Sequence, residues 1–395
     1  MKILFLNYEY PPLGGGAANA TKCILQEFAK ISDLELDLIT SSVDENYHLE
    51  KKGEKIRIHK LPIGKNTENL HFQSQKDLLV YSWRAYNFSR KLIKVAKKSK
   101  TPYDLTHSFF TVPCGFLSLL FKLQFKLPYI ISLRGSDVPY YSDRFTFLYK
   151  LITPVIKLIW HNANQVISNS EGLRELALKS SSKQKIEIIY NGIDIDYFKP
   201  EIKSAKQKQE KEQEKFIITP GASRVTDRKG LNYLIEAVAK LVSKYPQIYL
   251  KIMGDGNARE KLKQLAKNLK LEKHSEFVGI IPHEKVLAYY QEANLFVLPS
   301  LNEGMSNAML EALAVGLPLI STNTGGASEL VADGKNGFII KFKDSQDIAD
   351  KIEKLILDAT LRKKMALASR ELSEKMSWEN IAKKYREAYK KTKKI

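Results

Sequence analysis

Cysteine is scarce in this chain: Cys23 and Cys114 are the only two among 395 residues, and both lie in apolar stretches. Their scarcity excludes a disulfide framework and a cysteine-built metal centre. Long apolar runs are missing as well. The run from Ile3 to Leu6 is far shorter than a signal-peptide core, and no segment approaches the roughly 20 apolar residues that span a bilayer. Neither export nor membrane spanning is expected, so the chain reads as cytoplasmic. Acidic residues are in deficit, 44 against 63 lysines and arginines, leaving a net charge of +19. Such a surplus favours an anionic partner, and a membrane surface, a phosphorylated lipid and nucleic acid all fit that description.

The deficit is uneven. From Arg84 to Lys100 there are seven basic residues and no acid, interleaved with apolar residues such as Tyr86, Phe88, Leu92, Ile93 and Val95. That spacing fits a basic amphipathic helix, either a membrane footprint or a surface helix with solvated lysines. Apolar residues are nearly absent from 201 to 215, a Lys-, Glu- and Gln-rich stretch that cannot join a core. It separates two series of alternating strand and helix patterns, each long enough for its own core.

The first series opens with a strand (Ile3 to Leu6), the glycine loop Gly14, Gly15 and Gly16, a helix and a strand (Leu36 to Thr40), and continues through strand-like runs ending near Ile189. The second runs through strands at 216–219, 249–253, 276–278, 295–298 and 317–321. Two doubly wound parallel sheets are predicted: residues 1–198, a linker or insertion over 199–215, residues 216–377, and a final helix over 378–395. That helix carries a stripe of Trp378, Ile381, Ala382, Tyr385, Ala388 and Tyr389.

Open α/β sheets bind ligands beyond the C-terminal ends of their strands, which confines the search to the loops there. In the second domain Arg224 and Lys229 suit a diphosphate clamp, one as a bidentate fork and the other as a point charge. Gly254 lies in a tight turn that lets backbone approach a ligand, and backbone near Ile281 can flank a base. The most specific segment is Pro299 to Ala314. There a strand runs through Glu303 and Gly304 into a helix whose first amides, at Met305, Ser306 and Asn307, form an anion site. Glu303 and Glu311 flank it with acceptor-only carboxylates suited to vicinal sugar hydroxyls, although a dipole-complementing Glu303 and a solvated Glu311 are the plain alternative. The turn Thr324 to Glu329 adds a second glycine-lined helix start at the same edge.

With Tyr10 to Gly16, Ser170-Glu171, Asn191 to Asp194, Arg224 with Lys229 and Glu303 with Glu311 in place, nearly the whole chain resembles the retaining glycosyltransferases of family 4. The resemblance implies the GT-B fold, two Rossmann-like domains facing a central cleft, with the C-terminal helix crossing back onto the first domain. It implies that Arg224 and Lys229 bind the donor diphosphate, Glu303 the transferred sugar and Glu311 the ribose, with Gly15 and Gly16 approaching the donor. Acceptor contacts are then expected from Tyr10 and, by the family's loop, from Arg134 and Asp137. Relatives often carry histidine where this chain has Arg134, and arginine will not serve as a general base. His107 is either a further acceptor contact or a buried, hydrogen-bonded histidine.

The implied reaction is retaining hexosyl or N-acetylhexosaminyl transfer from a nucleotide sugar, UDP-sugars favoured, to a saccharide or lipid-linked acceptor in polysaccharide, lipopolysaccharide or glycolipid synthesis. No cofactor or metal is expected, and Asp194 to Asp196 is read as a local motif rather than a metal signature. The enzyme is expected in the cytoplasm, peripheral on the inner face of an anionic membrane. A nucleotide-sugar epimerase or phosphorylase of the same fold is the rival reading. A basic nucleic-acid-binding protein is a minor one, since no such module is recognised and no nucleic-acid partner is expected.

Overall fold

A computed structural model describes residues 1–65, 70, 73–141, 146–201, 215–221 and 224–393. Most of the expected linker, 202–214, lies outside the described residues. The chain forms two compact units, Met1–Asn191 with Trp378–Ile395, and Gly192–Ser377.

The first unit holds an eight-stranded sheet. Its strands are β1 (Lys2–Leu6), β2 (Glu35–Ser41), β3 (His48–Lys52), β4 (Ile56–Leu61), β5 (Leu105–Phe109), β6 (Tyr129–Leu133), β7 (Gln165–Ser168) and β8 (Ile186–Ile188), in the order β3-β4-β2-β1-β5-β6-β7-β8. Every neighbouring pair is parallel except β3 with β4. The central strands are covered on both faces, which is why they read as short continuous apolar runs. β3 and β4 were not expected from the sequence. The segment His48–Lys52 is polar and exposed, as an edge strand can be when its lysines discourage further pairing.

Helix α1 (Gly16–Ala29) packs beside the C-terminal helix (Trp378–Lys393), with Phe28 and Tyr389 rings 5.8 Å apart and Arg386 bonded to Asp33 at 2.6 Å. Ile381, Tyr385 and Tyr389 of that helix are buried in the same core as β1 and α1. Helices α2 (Gln75–Lys98), α3 (Phe116–Phe125) and α4 (Thr146–Asn162) serve connections that cross the sheet in the other direction, so right-handed crossovers place them on the opposite face from α1. A capping box starts α2: Ser74 Oγ accepts from the Asp77 amide at 3.1 Å and Asp77 Oδ2 from the Ser74 amide at 2.9 Å.

The second unit is a six-stranded parallel sheet of β9 (Phe216–Thr219), β10 (Ile248–Met253), β11 (Ser275–Gly279), β12 (Leu295–Leu298), β13 (Leu319–Thr322) and β14 (Gly337–Ile340), ordered β11-β10-β9-β12-β13-β14. The short β14 also escaped the sequence reading. Residues 192–198 are held in this unit: Arg370 donates to the carbonyls of Ile195 at 3.1 Å, Phe198 at 2.9 Å and Ala314 at 2.7 Å.

Candidate active site

A crevice opens beside neighbouring parallel strands whose connections leave in opposite directions. In the second unit these are β9 and β12, because β10 and β11 extend the sheet to one side and β13 and β14 to the other. The loops behind them are tied together. Leu301 donates its amide to the Arg228 carbonyl at 2.7 Å, and Gly230, at φ +61°, lies where a Cβ would collide with the Pro299 carbonyl. This close approach brings Lys229 Nζ onto Glu303 Oε2 as a largely buried ion pair. The cation expected at the diphosphate and the acid expected at the sugar are thus direct partners. Arg224 is exposed on the same loop.

Behind Glu303, the turn after β13 acts as a brace. Gly326 donates to the Gly304 carbonyl at 3.1 Å, and Gly325, at φ +52°, has the Glu303 carbonyl where a Cβ would stand. A larger residue at 325 would push the glutamate loop aside. Met305 and Ser306 are buried, Gly304 and Asn307 half-buried, and the helix Asn307–Val315 begins with no side-chain cap from Ser306. Its amide end points the positive end of the helix dipole at this edge.

Glu311 lies one turn into that helix. Its Oε2 accepts from the Tyr290 hydroxyl at 2.9 Å, and the same hydroxyl lies 3.3 Å from the Ala308 carbonyl. Burial pushes the Glu311 carboxyl up to about 7, against the opposing pull of the Tyr290 hydrogen bond. Tyr290, on the helix His283–Glu292, was missed by sequence reasoning because a tyrosine at helical spacing reads as core.

The loops after β10 and β11 complete the edge. Gly254, at φ +105°, donates to the Gly279 carbonyl at 2.7 Å, and the Asp255 carbonyl accepts from the Val225 amide at 2.9 Å. Ile281 is half-buried just beyond β11. Arg259, also missed, reaches the Phe277 carbonyl at 3.4 Å and keeps a buried Nε with no hydrogen-bond partner. Asp194 caps a local turn, accepting from the amides of Asp196 at 3.1 Å and Tyr197 at 2.9 Å.

In the first unit the corresponding switch lies between β1 and β5. Gly15 and Gly16 are exposed at the start of α1. Arg134 and Asp137 share the loop after β6. Asp137 Oδ1 accepts from the amides of Arg134 at 2.9 Å and Gly135 at 3.0 Å, while Oδ2 accepts from the Thr111 amide at 2.9 Å and hydroxyl at 3.1 Å. Burial raises the Asp137 carboxyl against these bonds, so its geometry is that of a loop organiser. The Arg134 guanidinium stacks 3.4 Å over Phe109 and donates to Asn191 Oδ1 at 2.8 Å and to the Tyr385 hydroxyl at 3.0 Å.

Tyr10, expected at the acceptor, is buried inside the unit, and His107 takes the second of its two expected roles, that of a buried, hydrogen-bonded histidine. His107 is fully buried, with Nδ1 2.8 Å from the Tyr389 hydroxyl and Nε2 2.8 Å from Ser132 Oγ, and its ring stacks on Phe5 at 4.5 Å. It joins the sheet to the C-terminal helix. Tyr10 is buried beneath Lys60, whose Nζ lies 5.5 Å from the ring centre.

Comparison with known proteins agrees with this layout. A family model described as Glycosyltransferase Family 4 matches residues 14–197, and one described as Glycosyl transferases group 1 matches 201–372. An uncharacterized glycosyltransferase of Methanocaldococcus jannaschii is 25% identical over 390 residues, covering 98% of both chains. Sucrose-phosphate synthase from Thermosynechococcus elongatus superposes with a TM-score of 0.79 at 22% identity, covering 99% of this chain and 98% of that one. HepE of Anabaena, solved in complex with UDP-glucose, gives 0.71 at 20% identity, covering 99% and 100%. The sheet orders, the strand-end loops and both family models lead to one conclusion: the chain belongs to the group 1, family 4 glycosyltransferases and has the GT-B fold.

Proposed function

We propose that this glycosyltransferase moves a hexosyl or N-acetylhexosaminyl group from a UDP-sugar to a saccharide or lipid-linked acceptor, with retention, in cell-surface polysaccharide or glycolipid synthesis at the inner face of a membrane. One observation carries the reading: the Lys229–Glu303 pair, the helix start behind Ser306 and the Tyr290–Glu311 pair lie along one strand-end edge. A cation and a helix amide end suit a diphosphate, and the two carboxylates suit hydroxyls on either side of it.

In the step itself, the bond from the sugar's anomeric carbon to the diphosphate oxygen breaks while the acceptor oxygen bonds to that carbon on the same face. The acceptor proton passes to the departing phosphate, and glycoside and nucleoside diphosphate are the products. Negative charge grows on the diphosphate, and stabilising it in a preorganised site is the main catalytic requirement. Arg224, Lys229 and the amides near Ser306 carry that charge, so the reading needs no metal. Glu303, anchored by Lys229, holds the sugar, and Glu311 holds the ribose. The solved UDP-glucose complex of HepE, which shares the fold, supports the choice of donor.

The test is thermal unfolding with UDP-glucose, UDP-galactose, UDP-N-acetylglucosamine and GDP-mannose in turn, since a ligand that binds only the folded state raises the midpoint. Protection by at least one UDP-sugar is expected. Protection by GDP-mannose alone would overturn the donor assignment, and free epimer or sugar phosphate formed without acceptor would overturn transfer.

A further inference from the structure

Helices α2, α3 and α4 stand side by side on one face of the first sheet. Tyr86 of α2 stacks on Phe121 of α3 at 5.7 Å, and Lys122 of α3 donates to the Asn162 carbonyl at the end of α4 at 2.6 Å. A helix layer over a sheet normally turns its outer side to water and makes it polar. Here that side also carries large apolar side chains. Leu79 and Trp83 on α2 are 72% and 69% exposed, and Leu123 on α3 is 70% exposed. Phe116 precedes Leu123 by two helical turns, and α4 adds Leu151, Val155 and Leu158 at the spacing of a single stripe, all exposed. Large apolar side chains on three adjacent helices amount to a patch rather than isolated surface residues.

The charge around the patch has one sign. The three helices together contain ten lysines and arginines and one acid, Asp77. That acid is consumed in the capping box and by Lys65, whose Nζ lies 3.3 Å away. Along α2, Leu79 and Trp83 give way to exposed Arg90, Lys91, Lys94, Lys97 and Lys98. Beside α4, Lys157, His161 and Lys183 rim an open groove of about 410 Å³ whose apolar wall is Pro154 and Leu158. Basic heads above apolar wedges match an anionic headgroup layer over acyl chains. Nucleic acid would explain the lysines but would leave the exposed leucines of α3 and α4 in water.

We infer that this three-helix face is the surface by which the enzyme docks on an anionic lipid bilayer. Trp83, Leu123 and the α4 stripe enter the interface, and the α2 lysines and the groove's basic rim meet lipid phosphates. This partner deepens the proposed use of a lipid-linked acceptor and rests on that reading only for its purpose. Among the described residues no helix is long and apolar enough to cross a membrane, so the attachment is peripheral.

The experiment is co-sedimentation of the full chain with vesicles containing phosphatidylglycerol and with vesicles of phosphatidylcholine alone. Salt-sensitive binding to the anionic vesicles is expected, with a blue shift of tryptophan emission, since Trp160 is buried, Trp378 is half-buried and Trp83 is the most exposed of the three tryptophans. Trp83→Ser combined with Leu123→Ser should weaken binding by roughly tenfold per side chain, the scale of withdrawing one large apolar group from the interface. Lys94→Glu with Lys98→Glu should remove the salt-sensitive part. All four positions are exposed, so unfolding midpoints and UDP-sugar protection without vesicles should stay unchanged, which separates failure of this inference from failure of the donor assignment. The inference is overturned if the wild type ignores anionic vesicles, if the Trp83/Leu123 variant binds them as well as the wild type does, or if RNA is bound and vesicles are not.

Discussion

The Tyr290 hydroxyl donates to Glu311 Oε2 at 2.9 Å, and this single bond opposes the burial that pushes the carboxyl up to about 7. The acid expected to hold a ribose is therefore half-protonated near neutrality. Only the carboxylate accepts from both ribose hydroxyls, so donor affinity should rise as pH rises through about 7. Glu311→Gln should weaken UDP-sugar binding about 10- to 100-fold and flatten that pH dependence, as for loss of a charged hydrogen bond. Tyr290→Phe should move the pH profile upward. Calorimetric titration across pH checks all three, and unchanged affinity in the glutamine variant would refute the assignment.

The same residue makes a stability prediction. Its folded pKa lies above the ordinary value, so the folded state binds a proton that the unfolded chain has released. Stability should therefore fall as pH rises from the ordinary glutamate range through about 7, by up to roughly 3 kcal/mol. His107 acts in the opposite sense, because burial first and then the nearby Arg134 charge hold its pKa well below normal. The unfolded histidine takes up a proton that the folded one refuses, so its contribution is lost as pH drops below about 6.5. Thermal unfolding of wild type, Glu311→Gln and His107→Gln over this range separates the two slopes.

Lys229 and Glu303 should respond differently to substitution. Glu303→Gln frees the lysine for the diphosphate, so UDP affinity should hold or improve while turnover falls about a hundredfold, as when one transition-state contact is removed. Lys229→Met removes the cation and leaves Glu303 without its ion-pair partner. It should lower both UDP affinity and turnover and destabilise the fold by about 3 kcal/mol. Equal loss of UDP affinity in both variants would contradict the division of roles.

Chelation provides a separate check. Transfer measured with excess EDTA should match the untreated rate, because the diphosphate's charge is assigned to Arg224, Lys229 and helix amides. Loss of transfer that a divalent ion restores would show that these groups do not suffice.

In the first unit, buried Asp37 accepts from Arg57 at 2.6 and 2.9 Å, lies 2.9 Å from His59 Nε2 and accepts from the Tyr103 hydroxyl at 2.6 Å. Burial alone would raise its pKa, but these partners hold it well below the usual carboxylate range. Asp37→Asn should cost about 3–5 kcal/mol in urea unfolding, since it leaves a partly buried guanidinium unpaired. The wild-type contribution is present at neutral pH and is lost in acid, as pH falls below about 4.

Much of this was legible in the amino-acid order. Buried parallel strands read as short apolar runs, and the strand, Glu303–Gly304 turn and helix after β12 follow one another within a few residues. Their identity rests on neighbours in the chain. β3, β4 and β14 were not legible: β3 and β14 are short edge strands and β3 is polar, while β4 lies inside the sheet with its apolar run broken by Arg57, His59 and Lys60.

Partnership across long stretches of chain was decided by the tertiary structure alone. Lys229 meets Glu303 across 74 residues because Gly230 and Gly325 let three strand-end loops close on one another. His107 meets Tyr389 across 282 residues because the final helix returns to the first sheet, which decides between its two expected readings in favour of the buried, hydrogen-bonded one. The buried central strands, the glycine turns and the two glutamates follow from the order of residues, since each depends on residues a few positions away. Which groups are paired, buried or left in solvent depends on how the sheet orders its strands, and only packing sets that.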